Sequence, residues 1–166
     1  MNTDQAPQAP QAPPITTGIK YFTAAELRCK GSGVIKLDPR FAEALIKLRE
    51  KFADPMIPTS VCRTPAHNTA VGGHPRSLHL TENPAHPGAN GTMAADIRWA
   101  EWPQNRKIMF CRIAWRLGWS IGLNNAFVHI DRRKDLKIPK AVFKYSGAWD
   151  GGFGKAEIIK AAVTPS

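Results

Sequence analysis

A chain of 166 residues with 43% hydrophobic and 22% charged residues has the make-up of a globular domain, which excludes wholesale disorder. It contains no run of about 18 apolar residues, so no membrane-spanning helix is predicted. Lys and Arg total 23 against 13 Asp and Glu, and a net charge of +10 calls for an acidic partner or acidic surroundings.

Residues 1–18 are built on repeated Gln-Ala-Pro and are expected to form a flexible or polyproline-like tail, because that composition has nothing to bury. They carry neither a basic n-region nor an apolar h-region, so no secretory signal is read there. Residues 19–166 are expected to fold as a single domain. Thr23-Ala-Ala-Glu26 matches a capping box and predicts a short helix through Leu27. Asp38-Pro39 opens a longer one, in which Phe41, Ala44, Leu45, Leu48 and Phe52 fall on a single stripe. Residues 57–61 read as a strand and 65–71 as a helical turn closed by Gly72-Gly73.

Residues 81–91 hold prolines, glycines and asparagines and read as a loop. A strand is predicted over 93–99 and a helix over 103–117, with Ile108, Cys111 and Trp115 on its buried face. Short strands follow at 120–123, 127–130 and 141–145. Helices early and short strands late predict an α+β fold with a small antiparallel sheet. Most of the net positive charge lies between Arg98 and Lys144, where 11 basic residues face three acidic ones. Cys29, Cys62 and Cys111 are odd in number and widely spaced, as buried reduced thiols are.

Four of the five histidines, His67, His74, His79 and His86, cluster within 20 residues. The fifth, His129, lies in Phe127-Val-His-Ile-Asp131, where a strand period of two puts His129 and Asp131 on one face. Asp96 sits likewise in an apolar strand, and a buried carboxylate is costly unless paired or metal-bound. Two strand-borne groups and a His-rich loop can give three N/O ligands and leave a position for water, as a catalytic zinc site requires. Taken alone, an HxD pair is more often structural, since hydrogen-bonded core histidines are common.

Five blocks carry a resemblance: YFTAAELRC at 21–29, TSVCRTPAHN at 59–68, VGGHPRSLH at 71–79, AADI at 94–97 and FVHID at 127–131. In this order they resemble the zinc D-Ala-D-Ala carboxypeptidase-like family of peptidoglycan peptidases, which includes many phage endolysins. The resemblance implies His79, Asp96 and His129 as ligands of Zn2+ in a cleft over the sheet, with helices mainly on one side. It also implies Arg63 as the residue that grips the substrate's carboxylate or carbonyl oxygen, and it places Ser77 in the same block, at the substrate. The implied substrate is the stem or cross-link peptide of bacterial peptidoglycan.

The chain departs from the family pattern twice. Seventeen residues separate His79 from Asp96 where the family has seven, so residues 81–90 form an insertion, and Thr92 stands where a glycine is usual. The insertion brings in His86 as a competing first ligand. Many relatives also carry a catalytic carboxylate three residues before the last histidine, a position held here by Ala126. Asp131 is the nearest replacement as general base, and equally a partner that orients His129.

The function expected from these features is a zinc-dependent endopeptidase of phage lysis. The alternatives are a D,D-carboxypeptidase on the same substrate and a non-catalytic basic wall-binding or virion module. The chain is expected to be a monomer, made in the host cytoplasm and acting on the wall after the membrane is opened. The tryptophans near basic residues form no recognised nucleic-acid motif, and neither nucleic acid nor membrane insertion is expected.

Overall fold

The computed structural model describes residues 11–165. Its elements are α1 (Ala24–Leu27), α2 (Pro39–Phe52), β1 (Pro58–Ser60), α3 (Pro65–Ala70), β2 (Ala94–Arg98), α4 (Gln104–Arg116), β3 (Ser120–Leu123), β4 (Phe127–Asp131), β5 (Val142–Lys144) and α5 (Lys155–Val163), with a 3-10 turn at Arg133–Leu136. This is the expected α+β class. Among the described residues no helix is long and apolar enough to cross a membrane.

Local chemistry accounts for the early helices. Thr23 and Glu26 form the reciprocal capping box of α1. Asp38 caps α2 by accepting from Arg40 N–H, and Pro39 occupies the first turn, where its missing N–H costs nothing. Phe41, Leu45, Leu48 and Phe52 are the buried stripe of α2, and Ala53 ends the helix in a left-handed conformation. On α4 Cys111 is buried as expected, together with Phe110 and Ala114, while Ile108 and Trp115 are only partly buried against the core. Trp115 is only half-buried and lies under the Lys140 ammonium, 3.9 Å from its ring centre. All three cysteines are free and buried.

The sheet has the order β1-β2-β4-β3-β5. Its first three pairings are antiparallel, but β5 runs parallel to β3, so the sheet is mixed rather than purely antiparallel. The chain leaves β4, turns through Arg133–Leu136 and returns on the far side of β3, which fixes that direction. The helix α5 follows no recognisable side-chain cap; Gly154 is its N-cap, and the Glu157 carboxylate accepts the Gly154 N–H.

Of the segment expected as a tail, residues 1–10 lie outside the described residues. Further along, Ile15 exchanges both backbone hydrogen bonds with Leu37, at 2.9 and 2.8 Å. The loop at 81–91 is pinned at both ends. Asn83 Nδ2 donates to Ser77 O, while Asn90 N–H donates to the Asp38 carboxylate and Arg40 to Gly88 O. Gly91 has φ +122, and a Cβ there would lie 2.7 Å from Lys36 O, so only glycine closes this loop.

Candidate metal centre

One cross-strand row organises the site. Ser60 on β1, Asp96 on β2, His129 on β4, Gly122 on β3 and Phe143 on β5 are successive register partners. They therefore share a face of the sheet. His79 reaches that face from the turn before the loop. Its N–H donates to Ser77 Oγ, and its carbonyl accepts from Arg63 N–H and Thr92 Oγ1. The hydroxyl of Thr92 thus does for His79 what a glycine could not.

Three donor atoms converge from these elements. His79 Nε2 lies 3.2 Å from Asp96 Oδ1, His129 Nδ1 lies 3.0 Å from the same oxygen, and the two nitrogens are 3.3 Å apart. The group is buried. The outer atoms fix the inner ones: His79 Nδ1–H donates to Val61 O at 2.8 Å, and His129 Nε2–H donates to Asp131 Oδ2 at 2.9 Å. His79 Nε2 consequently offers a lone pair to a carboxylate oxygen, which is also an acceptor. Positive charge must lie among the three atoms, either as a proton on His129 Nδ1 or as a metal cation.

Electrostatics agree. Burial holds His79 below its ordinary pKa and therefore neutral. At His129 burial acts in the same direction, but hydrogen bonds to Asp131 and Asp96 outweigh it and push the group up to about 9. Burial raises Asp96, yet its histidine partners hold it well below the usual carboxylate range. The donors fit zinc on size: bonds of about 2.0–2.1 Å in a tetrahedron imply ligand separations of about 3.3–3.4 Å. Two neutral imidazoles and a carboxylate are also a donor set that zinc takes.

Arg63 stands beside the centre with its orientation fixed. Its Nε donates to Ser60 Oγ at 3.1 Å, one terminal nitrogen to Asn68 Oδ1 at 3.2 Å and the other to Asp96 Oδ2 at 3.4 Å. Asn68 is buried and donates in turn to His74 O at 3.0 Å. Gly73 leaves room for this arrangement, since a Cβ there would lie 2.0 Å from Asn68 Oδ1.

Asp131 lies on the outer side of His129. Arg133 N–H and Nε donate to its Oδ1, and its Oδ2 accepts from His129 Nε2 and from the other end of the Arg133 fork at 2.7 Å. Burial raises its pKa, but the Arg133 and His129 bonds hold it below the usual carboxylate range. Ala126 closes the far end of β4, its carbonyl accepting from Trp99 N–H. His86 is not among the converging donors. It lines a cleft of about 520 Å³ with Ser77, His129, Asp131, Phe143 and Tyr145. A second cavity of about 860 Å³, walled by the inserted loop, shares Arg76, His86 and Ile138 with the first.

Sequence reading missed Asn68, Arg133 and Tyr145. Asn68 falls one helical turn and a residue beyond Arg63, and Arg133 two residues beyond Asp131, so spacing alone is a signal for both. Tyr145 gives none.

The chain matches the family described as Peptidase M15 over residues 20–131, more than half its length. No curated protein and no solved structure matches it.

Proposed function

Because the chain belongs to the peptidase M15 family, we propose that it is a zinc-dependent peptidase that hydrolyses peptide bonds in the stem or cross-link peptides of bacterial peptidoglycan. The observation that carries this reading is the convergence of three lone-pair donors, His79 Nε2, Asp96 Oδ1 and His129 Nδ1, each within 3.3 Å of the others. These residues would hold the zinc ion. When bound, zinc acts as a Lewis acid on the scissile carbonyl and lowers the pKa of water toward 7.

The remaining side chains have separable tasks. Asp131 orients His129 and holds its tautomer: its oxygens are engaged by His129 and Arg133, on the side of the ring away from the donors. Arg63 has five N–H donors, of which three are used within the protein, so two remain for a substrate carboxylate or carbonyl. Ser77 acts at one remove, through its bond to His79 N–H.

Endopeptidase action is supported by the continuation of the cleft past the metal centre, along the inserted loop. A chain extending well beyond a terminal residue fits such a groove, and Arg76 and Lys137 on its walls suit a substrate that bears carboxylates. The net charge of +10 suits a polyanionic wall.

The test is release of new amino groups from purified peptidoglycan, with and without a chelator, with products identified by mass. Chelator-sensitive release of cross-link fragments supports the reading. Release of single terminal D-alanine changes it to carboxypeptidase, and no release by zinc-loaded protein overturns it.

A further inference from the structure

Tyr145 lies outside the segment that matches the family. Its N–H donates to Leu123 O at 3.0 Å, which carries the β5 pairing one residue past the strand's end. It is two residues beyond Phe143, the register partner of Gly122, so it stands on the same face as Asp96 and His129. Its ring is clamped between Phe127, at 5.5 Å and 67°, and Phe143, at 5.7 Å and 57°. Phe143 in turn packs on His129 at 5.8 Å. Two aromatic contacts, through Phe143, thus tie the phenol to the imidazole of His129, and Phe127 holds the ring from its other side.

The hydroxyl at the end of this rigid ring has no hydrogen-bond partner among the described residues, and the residue lines the cleft with His129. Half-buried tyrosines usually pair their hydroxyls, so one left free in a cleft is placed for a ligand atom. Burial and the negative charge of Asp96 push the phenol up to about 12. It is therefore a neutral donor throughout the physiological range, facing a region where Asp96 and Arg63 also act.

We propose that Tyr145 is a catalytic residue, whose phenol donates a hydrogen bond to the scissile carbonyl oxygen as that oxygen takes up negative charge. This rests on the peptidase reading above. No bond to the tyrosine forms or breaks. As a water oxygen adds to the carbonyl carbon, the carbonyl electron pair moves onto the oxygen that the phenol contacts. It re-forms the carbonyl as the C–N bond breaks, the amine nitrogen leaving with the proton that the water gave up, and the phenol keeps its own proton from start to finish. A donor that meets charge present only in the transition state accelerates the step without tightening substrate binding.

The test is Tyr145→Phe in the full zinc-loaded chain, which keeps both ring contacts. Soluble cross-linked muropeptide dimers serve as substrate, and a phosphinate peptide serves as the tetrahedral analogue. The expected result is a kcat about 100-fold lower with KM within about twofold, and a parallel loss of phosphinate affinity, as removal of a single oxyanion donor gives. Full kcat, or a loss confined to KM, in an active wild-type background overturns the role of Tyr145 and leaves the peptidase reading standing. No turnover by the wild type overturns both. Phosphinate binding is measured independently of turnover, and equal affinity of wild type and variant also overturns the proposal.

Discussion

His79 and His129 turn unlike ring nitrogens toward each other, Nε2 of the first lying 3.3 Å from Nδ1 of the second. Each ring is held in that sense from behind, by the Val61 carbonyl and the Asp131 carboxylate respectively. Because the outer bonds choose the tautomers, the inner atoms already face one another when an ion arrives, and His129 Nδ1 becomes a donor by giving up its proton.

His79→Ala and His129→Ala are therefore expected to lose stoichiometric zinc, measured by metal analysis after dialysis. A ligand that binds only the folded chain stabilises it by mass action. Zinc should raise the melting temperature of the wild type and leave that of either variant unmoved.

Asp131→Asn tests the orienting role. Loss of the carboxylate should weaken zinc affinity about 10- to 100-fold, read by competition with a coloured chelator. Wild-type affinity combined with a collapsed rate would instead make Asp131 the general base.

Gly122→Ala tests the cross-strand row. The new methyl would lie 2.6 Å from the Phe143 ring and 3.1 Å from His129 Cβ. Overpacking of this kind costs about 1–3 kcal/mol. Chemical denaturation should show that loss, and zinc affinity should fall with it as His129 is displaced.

Asp38→Asn tests the anchor shared by α2 and the inserted loop. Burial raises the Asp38 carboxyl, but its bonds to Arg40 and to the Asn90 N–H outweigh this and hold it below the ordinary value. A depressed folded pKa contributes stability above the unfolded value near 4, and this is lost as pH falls through the folded value. At pH 7 the variant should be about 1–2 kcal/mol less stable, a figure reduced for the exposure of Arg40. The gap between wild type and variant should close below about pH 4 in acid-unfolding curves.

The sequence carried much of this site because its signals are local. Caps mark α1 and α2, a period of two puts His129 and Asp131 together, and the short blocks that contain His79, Asp96 and His129 resemble those of a known family. Tyr145 was illegible for the opposite reason. Its place follows from a parallel pairing between β3 and β5, and parallel partners far apart in sequence leave no local mark. The buried face of α4 was read in part: Cys111 is buried, but Trp115 packs only partly against the core, with Lys140 over its ring, and Phe110 and Ala114 fill the centre instead. The helix α5 begins at glycine with no capping side chain, so nothing announces it.

The donors are also far apart along the chain, separated by 17 residues between His79 and Asp96, 33 between Asp96 and His129, and 50 between the two histidines. Asp96 meets His129 only when β2 has zipped against β4. During synthesis an emerging chain therefore has no place for an ion until residue 129 has left the ribosome and found its register. A metal held by these three residues would load late in biogenesis, and a chain cut short before residue 127 would lack the third of them.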